Sequence, residues 1–139
     1  MHKLIFHLRK IAIIIYVWVR SKLNSWTNIK GVLLPIHQNI GYNTLRWILN
    51  GQYEQGEINI VKKRIASEDV ILEIGTGLGF VATYCAKTIG AERIFTYEAN
   101  VDNIPFIQAV FSKNNVTPIL TNAYLSGQIG EFLFSINKN

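Results

Sequence analysis

Acidic residues are missing from the first 53 positions of this 139-residue chain. The same segment carries seven basic residues, which are Lys3, Arg9, Lys10, Arg20, Lys22, Lys30 and Arg46. Residues 54–139 carry seven basic and nine acidic residues, so their net charge is −2, against +7 for the first 53. This asymmetry predicts a basic N-terminal segment attached to a mildly acidic body.

Cysteine is nearly absent as well, since Cys85 is the only one in the chain. No internal disulfide can form, which suits a reducing compartment and predicts a cytoplasmic location. The three histidines (His2, His7 and His37) form no metal-ligand spacing with Cys85, so no metal site is predicted. Because 49% of the residues are apolar and 17% are charged, we expect a folded domain of ordinary size rather than a disordered chain.

A hydrophobic run long enough to cross a membrane is also lacking from the N-terminal segment. The apolar stretch Ile11–Val19 has nine residues, whereas a spanning helix needs about 20. Arg20 follows it directly and no A-x-A-like site is present, so a cleaved signal peptide is not favoured. We predict a helical arm over residues 1–30 that either lies on a membrane surface or packs on the body. Nucleic acid is not an expected partner, because no recognised binding motif accompanies the basic charge.

From residue 57 onward the sequence alternates between helix-like and strand-like patterns. The patterns predict a helix from Glu57, a buried strand at Val70–Ile74, a helix at Phe80–Ile89, a strand at Arg93–Glu98, a helix beginning near Pro105, a strand at Ile119–Ala123 and a fourth stretch at Glu131–Ile136. This order implies right-handed crossovers and a parallel sheet. The preceding glycine-punctuated region is predicted to be loop with a short helix near Thr44–Asn50.

One acidic residue and three glycines occupy alternate positions at the end of the first predicted parallel strand: Glu73-x-Gly75-x-Gly77-x-Gly79. Glycines after a buried strand allow a sharp turn and the close approach of a ligand, and the following helix offers free N–H groups. A second acid, Glu98, ends the next strand, where the ribose of an adenosine ligand is usually held. The sequence therefore predicts an adenosine-containing ligand.

The type of adenosine ligand follows from what the loop does not contain. The nicotinamide-dinucleotide fingerprint requires a glycine or alanine where this chain has Phe80, and the Gly-Lys-Ser/Thr of a phosphate-binding loop is absent. The acid and the three alternate glycines resemble motif I of the S-adenosylmethionine-dependent methyltransferases with a Rossmann-like fold. The resemblance implies S-adenosyl-L-methionine as cofactor, with Glu73 near the cofactor's ammonium group.

Additional motifs resemble the FkbM family of methyltransferases over roughly residues 31–136. They are Gly31-Val32 through Pro35 and His37, Gly51-x-Tyr53-Glu54-x-x-Glu57, the glycine loop ending Gly79-Phe80-Val81, Tyr97-Glu98-Ala99-Asn100, and Asn122-Ala123. The activity implied by this resemblance is O-methylation of a hydroxyl group on a sugar or a secondary metabolite.

The same resemblance implies a set of cofactor-binding residues. Gly75, Thr76, Gly77, Gly79 and Phe80 would surround the cofactor, Glu98 would hold the ribose with Ala99 next to it, Asn122 and Ala123 would lie near the adenine, and Tyr53 and Glu54 would cover the methionine end. No catalytic residue is assigned, since the sequence offers no convincing base for the departing proton.

A complete domain of the resembled fold has seven strands in the order 3-2-1-4-5-7-6, and this chain supplies the first three. We therefore predict a partial Rossmann-like domain at residues 31–139, truncated after three parallel strands. Two functions stay open: part of a methyltransferase that needs a missing-half polypeptide, or a non-catalytic remnant or membrane-surface module. In both cases the open edge of the first parallel strand predicts self-association.

Overall fold

The computed structural model describes residues 2–23, 25–37 and 39–127. The chain divides into two compact units, residues 1–53 and residues 54–139. The stretch Glu131–Ile136, predicted above as a further strand, lies outside the described residues.

The first unit contains two helices and a β-hairpin. Its elements are α1 (His2–Lys22), β1 (Trp26–Ile29), β2 (Val32–Pro35) and α2 (Tyr42–Leu49). The hairpin turns at Lys30 and Gly31, whose φ angles of +50° and +88° are those of a tight turn with both central residues left-handed. The Asn28 side-chain oxygen accepts a hydrogen bond of 2.9 Å from the Gly31 amide and closes this turn.

The hairpin is a feature that the sequence interpretation missed. Residues 31–53 were expected to form loop with one short helix; the helix is present as α2, but β2 was not anticipated. The strands have four residues each, and Lys-Gly is not the Asn-Gly pair that usually marks such a turn. The domain boundary expected after residue 30 stays a prediction.

The helical arm forms as predicted, as the 21-residue helix α1. Buried apolar side chains from α1, the hairpin and α2 make the core of the first unit: Val17, Ile29, Val32, Leu34, Ile36, Leu45 and Ile48. Within the described ranges, no helix is both long enough and apolar enough to cross a lipid bilayer.

The second unit is a parallel α/β structure. It consists of α3 (Gln55–Arg64), β3 (Ile71–Ile74), α4 (Phe80–Ile89), β4 (Ile94–Glu98), α5 (Ile104–Lys113) and β5 (Ile119–Asn122). The strands lie in the order β3-β4-β5, and both pairs are parallel. This confirms the predicted order of strands and helices, with boundaries that shift by one residue at several ends and by two at the start of α3.

The core of the second unit contains side chains from α4, α5 and β4. Cys85, Ile94 and Ile107 are fully buried in it, and the same cluster also contains Ala82, Ala86, Phe111 and Val116. Burial raises the pKa of the Cys85 thiol to about 11. Since only the thiolate is reactive, Cys85 acts as a small apolar residue, as expected from the sequence.

The strand β3 is not buried on both faces, which corrects the sequence expectation for Val70–Ile74. Ile71 and Glu73 are partly buried, but Leu72 is 61% exposed and Ile74 is 68% exposed. Within the described residues β3 pairs with β4 alone and therefore lies at the edge of the sheet. The edge position agrees with the open edge predicted for this strand, whereas its continuous apolar pattern is that of a strand buried on both faces.

Candidate functional site

The loop between β3 and α4 is held by backbone hydrogen bonds to the end of β4. The amides of Gly75 and Thr76 both donate to the carbonyl oxygen of Tyr97, at 2.8 and 3.1 Å. Gly75, Gly77 and Gly79 have φ angles of +87°, +57° and +76°, in the left-handed region that other residues rarely adopt. The three alternate glycines therefore permit a turn that returns the chain to the carboxyl end of the sheet.

Glu98 joins this loop to the residues that follow β4. One carboxylate oxygen accepts a hydrogen bond of 3.0 Å from the Gly77 amide, and the other accepts one of 2.8 Å from the Asn100 amide. The residue is only 7% exposed. Each carboxylate oxygen keeps a second lone pair, so Glu98 can still accept from ribose hydroxyl groups while it stabilises the loop.

Glu73 belongs to a chain of hydrogen bonds through two buried threonines. The Thr96 hydroxyl donates to the Glu73 carboxylate at 2.5 Å and lies 2.6 Å from the Thr76 hydroxyl. Because Thr96 has a single hydroxyl proton, Thr76 must donate to Thr96 when Glu73 is ionised. The conformation of the glycine loop at Thr76 is thus connected to the protonation state of Glu73.

Burial raises the pKa of Glu73 to about 7 from a usual value of 4.5. The hydrogen bond from Thr96 and the backbone amide of Ala82 oppose this shift, whereas the negative charges of Glu54 and Glu98 add to it. Glu73 is therefore close to half-ionised at neutral pH. A cation bound nearby would favour the carboxylate and lower this pKa.

The carboxyl end of β5 adjoins the carboxyl end of β4, so Asn122 and Ala123 lie next to Glu98 at this end of the sheet. The Asn122 side-chain amide donates to the carbonyl oxygens of Glu98 and Ala99, at 2.7 and 3.3 Å. The Ala123 amide donates to the Glu98 carbonyl oxygen at 3.1 Å. The fold thus brings together the glycine loop and the ends of β4 and β5, which are far apart in the sequence.

Three of the expected cofactor-binding residues have structural roles of their own. Thr76 is almost fully buried and Phe80 is completely buried, so neither side chain is open to a ligand in this conformation. A Cβ atom at Gly79 would lie 3.1 Å from Phe111 Cε1 and 3.4 Å from Ile107 Cγ2. The missing side chain at Gly79 therefore allows close packing against α5, which the interpretation as a ligand-approach site did not foresee.

Tyr53 and Glu54 lie on either side of the division between the two units. Glu54 precedes α3 in a left-handed conformation with a φ angle of +47°, and it is close enough for its charge to raise the pKa of Glu73. Tyr53 is the last residue of the first unit, and its assignment to the cofactor stays a prediction.

Sequence reasoning did not identify Thr96 or Asn100 as individual contributors to this region. Thr96 hydrogen-bonds Glu73, and the Asn100 amide hydrogen-bonds Glu98. A recognisable signal was present for Thr96, because it is a polar residue in the middle of the apolar strand Ile94–Glu98. A buried hydroxyl needs a hydrogen-bond partner, and the nearby acidic residue of the neighbouring strand provides it.

Comparison with known proteins supports the α/β fold of the chain. No protein-family profile and no curated protein sequence matches the chain. Among solved structures, it is similar to the tRNA (uracil-54, C5)-methyltransferase of Pyrococcus abyssi, whose structure was determined in complex with S-adenosyl-L-homocysteine. The TM-score is 0.56 at 20% sequence identity, over 72% of this chain and 23% of that protein. The chain therefore spans about a quarter of the length of the protein it resembles and shares its methyltransferase fold.

Proposed function

We propose that the chain binds S-adenosylmethionine at the carboxyl end of the β3-β4-β5 sheet, as part of a methyltransferase of the FkbM type. The observation that carries this proposal is the hydrogen bond between the Gly77 amide and the Glu98 carboxylate. It places a carboxylate and a glycine loop side by side at the point where parallel α/β folds hold an adenosine ribose. The similar fold of a methyltransferase crystallised with S-adenosylhomocysteine supports the same choice of cofactor.

The charge of the region favours this cofactor over a dinucleotide. Burial is the main cause of the raised pKa of Glu73, and the negative charges of Glu54 and Glu98 add to it. S-adenosylmethionine carries a positive sulfonium and a positive ammonium group, both of which these carboxylates would attract. The diphosphate of a nicotinamide dinucleotide would bring negative charge to the same place and be repelled.

The roles of this chain's residues follow from their positions. When bound, S-adenosylmethionine would supply an electrophilic methyl group to a hydroxyl of a sugar or secondary metabolite. Glu98 would accept hydrogen bonds from the ribose hydroxyls, and Glu73 would balance the positive charge at the methionine end. Asn122 and Ala123 would border the adenine, because they adjoin Glu98 at the end of β5.

Titration calorimetry of the full chain with S-adenosylhomocysteine tests the cofactor proposal. We expect saturable binding of S-adenosylhomocysteine and much weaker binding of NAD under the same conditions. Equal affinity for the two ligands, or no binding of S-adenosylhomocysteine, would contradict the proposal. The non-catalytic alternative is distinguished by methyl transfer: a remnant can bind the cofactor, but it forms no methylated product with any hydroxyl acceptor.

We also propose that α1 contacts a membrane surface, because its solvent-facing side is apolar. Leu8, Ile11, Ile15 and Trp18 follow one another at spacings of three and four residues and are all exposed. Val17, on the opposite side of the helix, is buried. A helix with exposed apolar residues and basic neighbours is typical of interfacial membrane binding.

Vesicle co-sedimentation of the full chain tests this second proposal. Replacement of Ile11 and Ile15 by Ser should reduce sedimentation with vesicles that contain anionic lipid. The matched control is Ile60→Ser on α3, where the original side chain is also highly exposed. Equal sedimentation of the α1 variant and the control would exclude α1 as the membrane contact.

A further inference from the structure

A basic cleft lies between the two helices of the first unit. It has a volume of about 600 Å³ and is lined by Arg9, Ala12, Ile13, Tyr42, Arg46 and Asn50. The first three residues belong to α1, and the others belong to α2 and its C-terminal cap. Protein cavities of this volume accommodate small-molecule ligands rather than single ions.

Two arginines from different helices line this cleft. Arg9 belongs to α1 and Arg46 belongs to α2, and the Lys10 ammonium lies 5.6 Å from the centre of the Tyr42 ring at the same junction. Residues 1–53 contain no Asp or Glu, so the first unit has no carboxylate of its own to neutralise them. Like charges collected in one cleft repel each other, and a bound anion would remove this cost.

Helix stability explains the position of Arg46 but not that of Arg9. Arg46 is in the last turn of α2, where a positive charge interacts favourably with the helix dipole, and its guanidinium lies 5.6 Å from the centre of the Trp47 ring. Arg9 is in the first half of α1, far from that helix's C-terminal turn. The position of Arg9 in the lining of the same cleft therefore has no explanation in helix capping.

We propose that this cleft binds a phosphate group carried by a small organic molecule. The planar guanidinium group has fixed N–H donors that match the oxygens of phosphate, and two such groups can hold a phosphomonoester or diphosphate together. Tyr42 and Asn50 add a hydroxyl and an amide as further hydrogen-bond donors. Ala12 and Ile13 supply the apolar part of the lining, which suits the carbon skeleton to which the phosphate is attached.

The phosphate site shares no residue with the cofactor site proposed above. Its test is titration calorimetry of the full chain with inorganic pyrophosphate. Arg9→Gln and Arg46→Gln should each weaken binding by about tenfold or more, since each removes a charge-assisted contact. S-adenosylhomocysteine binding should stay unchanged in both variants, so that failure of one site is distinguished from failure of the other.

Arg64→Gln is the matched control, because Arg64 is an exposed residue of α3 and the substitution removes the same charge. If Arg64→Gln weakens pyrophosphate binding as much as Arg46→Gln, the attraction is that of overall charge and the proposal is wrong. Absence of pyrophosphate binding to the unsubstituted chain at millimolar concentration would also overturn it. Circular dichroism of each variant confirms that the helices are retained.

Vesicles identify the source of the phosphate group. Phosphatidic acid vesicles that compete with pyrophosphate, and whose binding is lost in Arg9→Gln and Arg46→Gln, would assign the cleft to a lipid headgroup. Pyrophosphate binding that these vesicles do not displace would assign it to a soluble phosphorylated compound. Both results support a phosphate site, whereas vesicle binding that is equal in all variants, together with no pyrophosphate binding, contradicts it.

Discussion

The backbone amide of Gly77 donates a hydrogen bond of 3.0 Å to the carboxylate of Glu98, which lies 21 residues further along the chain. This contact joins the turn after β3 to the end of β4, the two places from which the cofactor would be held. Glu98 therefore has two roles, as a hydrogen-bond acceptor for the loop and as the acceptor expected to bind ribose.

Replacement of Glu98 by Gln should weaken binding of S-adenosylhomocysteine by about thirtyfold, since a charge-assisted hydrogen bond contributes about 2 kcal/mol. The new amide group also places N–H donors where the Gly77 or Asn100 amide donates now, so the loop should lose stability too. Calorimetry measures the first effect and urea unfolding measures the second. The control is Glu92→Gln, which removes the same charge from an exposed position. Unchanged affinity in Glu98→Gln would show that this carboxylate does not contact the ligand.

Gly79→Ala should lower the free energy of unfolding by about 2 kcal/mol or more. The φ angle of +76° costs roughly 1–2 kcal/mol for a residue with a Cβ atom, and the new atom lies only 3.1 Å from the Phe111 ring. Gly56→Ala is the matched control, because that glycine lies in α3 with no atom within 4 Å and no positive φ angle. This control should be stabilised by roughly 0.5–1 kcal/mol in urea unfolding. Equal stability of the two variants would contradict the tight packing of the loop on α5.

Glu73 should make the protein less stable as the pH rises from 4.5 to about 7, because its pKa is raised in the folded state. The buried neutral carboxyl contributes fully to the free energy of unfolding below pH 4.5. This contribution is lost as the pH rises through the folded-state pKa of about 7. This pKa shift of Glu73 corresponds to a change of about 3 kcal/mol in the free energy of unfolding. Glu73→Gln stays neutral at every pH, so its stability relative to the unsubstituted chain should increase over this range. Urea unfolding at pH 4, 6 and 8 measures the difference.

A parallel change of stability with pH in the unsubstituted chain and in Glu73→Gln would show that Glu73 is not the titrating group. The negative charges of Glu54 and Glu98 add to the raised pKa of Glu73, so Glu54→Gln should reduce the change of stability with pH. Binding of S-adenosylhomocysteine brings an ammonium group to the site, so it should release a proton from Glu73 near neutral pH. Calorimetry in buffers with different ionisation enthalpies detects that proton.

The edge of β3 should cause the chain to self-associate. Its exposed Leu72 and Ile74 lie beside an unpaired row of backbone donors and acceptors in the described part of the sheet, which is a template for pairing with another chain. Ile74→Lys should reduce the apparent mass in light scattering, because a charged side chain disfavours edge-to-edge pairing. The control is Ile60→Lys, since Ile60 is 65% exposed on α3, close to the 68% exposure of Ile74. A monodisperse monomer before any substitution would contradict this prediction.

The sequence alone determined the parallel α/β pattern and the position of the glycine loop. Alternating apolar segments and helix termini are local features, and Phe80–Ile89 was predicted with both of its observed ends. Glu73, the three glycines and Glu98 were also recognisable in the sequence. Their spacing along the chain is that of one turn after β3 and one helical crossover from β3 to β4. The hairpin at β1 and β2 was missed, since a Lys-Gly turn between two four-residue strands carries little local signal.

Only the tertiary structure decided which side chains meet. The hydrogen bond from Gly77 to Glu98, the chain from Thr76 through Thr96 to Glu73, and the contact of Gly79 with Phe111 all join residues at least 20 positions apart. Burial also distinguishes residues of similar type: Phe80 is enclosed, whereas Leu72 and Ile74 are exposed at the edge of the sheet. Local sequence determines where the chain turns. Strand order and register determine which groups lie within hydrogen-bonding distance and which are buried away from water.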